Sequence, residues 1–228
     1  MHFIIIALIV AALIFGPSIW AKRTFSRYSR EIKDMPGTGG ELARHLLDKF
    51  DMKGVKVEVT QQGDHYDPAQ KVVRLSESNF NGKSLTAIAV AAHEVGHAIQ
   101  DKQNSSLLKT RTRLIKTAQL AEKAGSIAML AIPFVTVITK APSTGLLMFL
   151  AGFGSILIST LVHLVTLPVE LDASFGKALP VLKEGGYIQK QHEAAINKVL
   201  KAAAFTYVAQ SLSSLLNLAR WIAILRRR

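Results

Sequence analysis

The amino-acid sequence predicts a mainly α membrane protein, with an N-terminal anchor and a transmembrane helical hairpin around a small α+β domain that holds a β-hairpin. Three observations carry that expectation. Of 228 residues, 49% are hydrophobic and the mean hydropathy is +0.25, yet the formal charge is +12 and the pI is near 10.0. Apolar spans flanked by basic residues reconcile these figures. Two runs, Phe3 to Trp20 and Gly145 to Val169, match the ~20 residues of helix that a bilayer core requires. Lysine and arginine cluster beside apolar runs with little aromatic interleaving, which argues against a nucleic-acid surface. Cysteine is absent, so disulfides, thiolate ligands and cysteine nucleophiles are excluded. Any metal site must rely on His, Asp and Glu.

Residues 1–21 read as an uncleaved transmembrane anchor. A cleaved signal peptide fits less well, because the basic cluster of Lys22, Arg23, Arg27, Arg30 and Lys33 follows the apolar run instead of preceding it. That cluster puts the following segment on the cytoplasmic side and the N-terminus outside. Residues 22–117 read as a cytoplasmic domain. Pro36-Gly37-Thr38-Gly39-Gly40 is a turn, and Glu41 to Phe50 has helical spacing through Leu42, Leu46 and Leu47. Val55 to Val59 and, more weakly, Lys71 to Leu75 alternate as strands, with Gly63 to Pro68 as the loop of an antiparallel hairpin. Ser84 is placed to cap a helix running to about Gln100.

Residues 118–169 are expected to form the helical hairpin, with arms Ala124 to Thr139 and Gly145 to Val169. Residues 170–201 are polar and helical in pattern. Residues 202–228 form an apolar or amphipathic helix, with Gln210, Ser213, Ser214, Asn217 and Arg220 along one stripe. That helix either spans or lies at the interface.

The sharpest chemical signal is His93-Glu94-Val95-Gly96-His97. Residues four apart on a helix point the same way, so both imidazoles can reach one ion, while Glu94 is placed to touch a water there without ligating. With this composition an H-E-x-x-H arises by chance in roughly one shuffled chain per hundred, so context must strengthen it. It does. Leu85 to Ala92 is apolar or small except for Thr86, and imidazoles and a carboxylate in so apolar a helix need partners. A catalytic zinc takes three protein ligands and leaves one position open. Of the acids in Glu170-Leu171-Asp172-Ala173-Ser174, Glu170 is the first choice as third ligand and Asp172 the second. With Glu170 ligating, Asp172 becomes a partner to an imidazole N–H.

An H-E-x-x-H followed, after a hydrophobic hairpin, by E-x-x-A resembles membrane gluzincin peptidases of the HtpX and CAAX-protease type. More closely, D-H-Y-D-P at Asp64 to Pro68, V-R-L-S at Val73 to Ser76, A-A-H-E-V-G-H-A at Ala91 to Ala98, L-P-V-E-L-D-A-S at Leu167 to Ser174 and T-Y-V-A at Thr206 to Ala209 resemble the YugP-type neutral zinc metallopeptidases. The resemblance covers nearly the whole chain. It implies a bacterial membrane zinc peptidase with a zincin-like domain, His93, His97 and Glu170 as ligands and Glu94 as base. One departure is Ser174, where the broader gluzincin pattern has Asp. Asp172 is then the candidate substitute for the missing carboxylate.

Tyr207, His65, His163 and His192 are candidates by residue type for stabilising an oxyanion. His163 lies seven residues before Glu170 and shares its helix face; Tyr207 lies in a small-residue segment that permits close helix approach. The expected function is hydrolysis of peptide bonds with one catalytic Zn²⁺. The expected partners are the lipid bilayer, a peptide or membrane-protein substrate and further membrane proteins, with no nucleic acid. The expected location is a multi-pass place in the bacterial cell membrane, the site facing the cytoplasm. The alternative is a zinc-binding membrane scaffold without turnover, against which an intact Glu94 argues, since binding alone needs no base.

Overall fold

The computed structural model describes residues 2–139, Leu147, Leu150, Gly154, Ile158, Val162 and residues 165–206. Helix α1 (His2–Tyr28) leads into α2 (Gly39–Lys49), strands β1 (Lys56–Thr60), β2 (His65–Asp67) and β3 (Val72–Ser76), a short α3 (Glu77–Phe80), α4 (Leu85–Lys102) and α5 (Ser106–Thr139). Further along the chain come α6 (residues 165–171), a π-helical segment Asp172–Ala178, α7 (Leu179–Glu184), a 3₁₀ turn Lys190–His192 and α8 (residues 193–206).

Local chemistry sets the helix starts. Thr38 closes a capping box on α2: its hydroxyl accepts from Glu41 N at 3.2 Å, and its own N–H donates to Glu41 Oε2 at 2.7 Å. The face of α2 that bears Leu42, Ala43, Leu46 and Leu47 is buried. Ser84 caps α4 by accepting from Ala87 N at 3.1 Å. Every residue of α4 from Leu85 to Gln100 is buried, so this helix is enclosed on all sides. It packs against α2, the sheet, α7 and the π-helical segment, and the core forms around it with Leu46, Val73, Leu75, Leu182, Ile196 and Leu200.

The expected antiparallel hairpin between residues 55–59 and 71–75 is not what forms. The sheet has the order β1-β3-β2, with β1 parallel to β3 (Val57 opposite Val73) and β2 antiparallel to β3 (Tyr66 opposite Val73). The reason lies in the turn after β2. Asp67 Oδ1 accepts from Ala69 N at 2.9 Å and from Gln70 N at 3.1 Å, and Lys71 takes a positive φ of 54°. This side-chain-stabilised turn makes β2 and β3 the hairpin and leaves β1 to join the far edge of β3. The three residues of β2, set between Gly63-Asp64 and Pro68, show too little alternation to mark a strand. Tyr66, buried in β2, donates its hydroxyl to Asp101 at 2.6 Å and ties the sheet to the end of α4.

The membrane architecture is also corrected. Among the described residues, no helix is long and apolar enough to cross a membrane, which overturns the N-terminal anchor and the transmembrane hairpin. In α1 and α5 the apolar run belongs to a helix that also carries polar turns. The last turns of α1 pack onto α4: Ala21 and Thr24 are buried, and Thr86 Oγ1 donates to Phe25 O at 2.9 Å. Helix α5 begins with Lys109, Arg111, Arg113 and Lys116 before it becomes apolar. Most of the expected arm at 145–169, and all but residues 202–206 of the helix expected over 202–228, lie outside the described residues. The fold class is therefore helical around a small mixed sheet.

One contact sets the distance between α4 and the segment that follows α6. A Cβ on Gly96 would sit 2.7 Å from Ala173 O, inside any tolerated contact. Glycine is needed there because two backbones meet. Gly96→Ala is expected to push the π-helical segment off α4 and to cost about 1–3 kcal/mol, the usual range for overpacking. A thermal melt of the variant against wild type checks this, and an unchanged midpoint would show that the helices have room to part.

Candidate metal centre

Helix α4 brings His93 and His97 to one face, one turn apart, with ring centroids 4.8 Å apart. Helix α6 delivers Glu170 opposite them. Glu170 Oε2 lies 3.1 Å from His93 Nε2 and 3.2 Å from His97 Nε2. Glu170 is fully buried, and His93, Glu94 and His97 are nearly so. One ligand atom from each of His93, His97 and Glu170 falls within 4.8 Å of the others, so the three can hold a metal ion.

The hydrogen bonds behind the rings decide what the rings present. Gln100 Nε2 donates to Val169 O at 2.9 Å and to Asp172 Oδ2 at 2.7 Å, both pure acceptors. That fixes the amide, so Gln100 Oε1 accepts the Nδ1–H of His97 at 2.9 Å. Ser174 Oγ donates to Leu200 O at 3.3 Å and accepts the Nδ1–H of His93 at 3.0 Å. In its neutral form each ring would then turn an Nε2 lone pair toward a carboxylate oxygen, the arrangement that suits a metal ion. Three donors so placed repel unless a cation stands among them. A tetrahedral site with Zn–N and Zn–O bonds of ~2.0–2.1 Å has edges of about 3.3–3.4 Å, close to the two observed separations. The residues fit zinc, with His, His and Glu as its ligands and no sulfur required.

Charge around the site is uneven. Burial alone would raise Glu170, but His97 and His93 beside it hold its carboxyl well below the usual range. Its other oxygen, Oε1, lies 3.2 Å from Arg111 NH2, an ion pair whose geometry is not that of an aligned hydrogen bond. Burial pushes Glu94 up to about 7; His93 pulls the other way, and Glu170 and Asp64 add to the rise. A bound dication would act with His93 and favour the charged form of Glu94. Beside Glu94 opens a cavity of about 300 Å³, whose lining includes Phe25, Asp64, Asn79, Thr86 and His93.

The structure thus brings together His93, Glu94, His97 and Glu170. Asp172 reaches no imidazole directly; it holds Gln100, which holds His97. His65 donates through Nδ1 to Gly63 O at 2.8 Å within β2 and does not converge on Glu170. His192 ends the 3₁₀ turn. Tyr207 and His163 lie outside the described residues. Gln100, Ser174 and Arg111 were missed from the sequence. Gln100 stands three residues after His97, and Ser174 four after Glu170, so helical spacing could have found both. Arg111 sits on another helix, and no local pattern points to it.

His93, His97 and Glu170 define a buried site between two helices that can hold a metal ion. A family model described as "Putative neutral zinc metallopeptidase" matches residues 3–226, and the chain belongs to that family. It is similar to a protein of Bacillus subtilis (strain 168) named "Putative membrane protease YugP", with 39% identity over 230 residues, 96% of this chain and 95% of that protein. No solved structure matches the chain.

Groups that orient ligand imidazoles typically contribute 10–100-fold to metal affinity. Ser174→Ala and Gln100→Ala are each expected to weaken zinc binding by about that factor while leaving the ligands in place. Competition against a chromophoric chelator measures it, and wild-type affinity in both variants would contradict the assigned tautomers.

Proposed function

We propose that this chain is a zinc metallopeptidase in which His93, His97 and Glu170 hold the ion and Glu94 is the general base. The observation that carries this reading is the pair of Nε2 atoms facing Glu170 Oε2, next to the buried carboxylate of Glu94, which among the described residues no other side chain engages in a hydrogen bond. Zinc bound there would supply Lewis acidity, polarising a peptide carbonyl and acidifying a water. Glu94 then takes the proton from the attacking water and hands it to the leaving amine. Ser174 and Gln100 keep both rings oriented through that cycle, and the apolar walls of α4 limit the water around the charges. Peptide as the substrate class rests on the family.

The test separates base from ligand. Glu94→Gln keeps shape and removes the proton acceptor, so the variant should fold and retain zinc yet lose about 10²–10⁴ in hydrolytic rate. Glu170→Gln should lose metal occupancy first. Zinc content and cleavage of a quenched fluorescent peptide, measured on both variants, decide it. Wild-type turnover by Glu94→Gln would end the peptidase reading.

Association with a lipid bilayer belongs to the same proposal, as a surface contact. It is supported by the relative's name, by the +12 charge and by exposed apolar side chains, among them Phe15, Ile19 and Trp20 on α1 and Ile127, Phe134 and Ile138 on α5. A basic protein gains about 1 kcal/mol per Lys or Arg held near an anionic leaflet. The full chain should float with anionic vesicles in a density gradient and be released in part by salt. Recovery wholly at the bottom of the gradient would contradict it.

A further inference from the structure

The cavity beside Glu94 runs from the metal centre along α4 toward its N-terminus, past Val90 and Thr86. Its walls come from the end of α1, from the turn before β2, from α3 and from α8. Among the described residues, two carboxylates line it, Asp64 and Glu94, and neither lysine nor arginine does. In a chain of formal charge +12 that absence selects for a cation.

Asp64 is held in place. Its Oδ1 accepts from Ser76 N at 2.6 Å and Ser76 Oγ at 3.0 Å, and its Oδ2 accepts from Asn79 Nδ2 at 2.8 Å. A carboxylate offers about four lone-pair sites. Three are used, which leaves one on Oδ2. Glu94 supplies an independent sign of a ligand: it is 6% exposed, lines the cavity and, among the described residues, has no hydrogen-bond partner. The C-terminal turn of α1 adds to the same field, since Phe25 and Ser29 bring the negative end of that helix dipole to the wall. The remaining polar lining is the His93 imidazole, turned to the metal centre, and the hydroxyls and amide of Ser29, Ser78, Asn79, Thr86 and Thr206, whose oxygens can accept from an ammonium or a guanidinium.

We infer that this cavity is a substrate subsite for a cationic group, an alkylammonium or guanidinium next to the scissile bond, with Asp64 as its specificity-determining residue. The inference deepens the peptidase reading and rests on it. Two sources could supply the cation, a Lys or Arg side chain or the free α-amine of a peptide.

The experiment uses the full zinc-loaded chain and quenched fluorescent peptides carrying Lys, norleucine or Glu at each of the four positions around the scissile bond, each with a free and an acetylated N-terminus. Norleucine keeps the length of lysine without its charge. At one position kcat/KM for Lys should exceed that for norleucine by about tenfold or more, and Glu should be worst. A preference that follows the free N-terminus instead assigns the cation to the α-amine. Asp64→Asn should bring the Lys-to-norleucine ratio toward one; because Asp64 also supports Ser76 and Asn79, Ser78→Lys, which puts a resident ammonium in the cavity from an exposed position, should do the same without that risk. A ratio near one in wild type, or a ratio unmoved by both variants, overturns the subsite even if cleavage proceeds. Equilibrium binding of the same peptides, read by thermophoresis, keeps the two readings apart: a Lys preference in binding that both variants abolish, with no cleavage of any peptide, would retain the subsite and remove the peptidase reading.

Discussion

Glu170 has no exposed surface, and a carboxylate taken wholly out of water costs several kcal/mol unless charge and hydrogen bonds replace the lost hydration. The rest of the structure is arranged around meeting that cost. Two imidazoles face one oxygen and Arg111 approaches the other. The imidazoles are buried too, so their outer N–H groups need acceptors, which Ser174 and Gln100 provide. Those acceptors then reach Leu200 O, Val169 O and Asp172. One buried charge thus ties together α4, α5, α6, α8 and the π-helical segment. Partial satisfaction of such a network would be worse than an apolar core, which is why its members interlock so closely.

Rigidity follows from the same arrangement. Helix α4 is enclosed along its length, capped by Ser84 at one end and joined through Asp101 to Tyr66 of the sheet at the other. A base or a ligand on such a helix has little freedom to wander, and catalytic groups depend on that positioning. Glu94 is the exception to the rule of satisfaction. It is buried like its neighbours, yet it faces a cavity instead of a partner, and burial raises its proton affinity toward neutrality. A dication bound beside it would favour its charged form, the form that can accept a proton.

Departures from regular structure gather where the helices meet. The π-helical segment Asp172–Ala178 widens the helix just after Glu170, and Gly96 removes the side chain that would otherwise hold α4 away from it. Pro180 follows at the start of α7, where its missing N–H breaks no regular helical bond. Irregularities of this kind lower intrinsic helix stability, and they concentrate at sites where geometry matters more than propensity.

Much of this was legible in one dimension, for a physical reason in each case. The spacing of His93 and His97 is a helical repeat, so a string of letters already implies a shared face. Glu94 between them and Ser84 as a cap are likewise local features, readable within a few residues, whereas Thr38 read only as part of a turn and proves to be a cap. Glu170 stood out as an acid directly after a long apolar run. What the sequence could not decide was pairing across distance. The parallel joining of β1 to β3 follows from a turn at Asp67 and a strand three residues long, neither of which leaves a periodic trace. Apolar composition suggested spans, but composition does not say where a helix stops packing and starts facing lipid; α1 carries its run into contact with Thr86. Arg111, Ser174 and Gln100 acquire their roles only when three helices converge on one carboxylate. Hydrogen-bond satisfaction is a property of the packed chain, and only the tertiary structure could assign it.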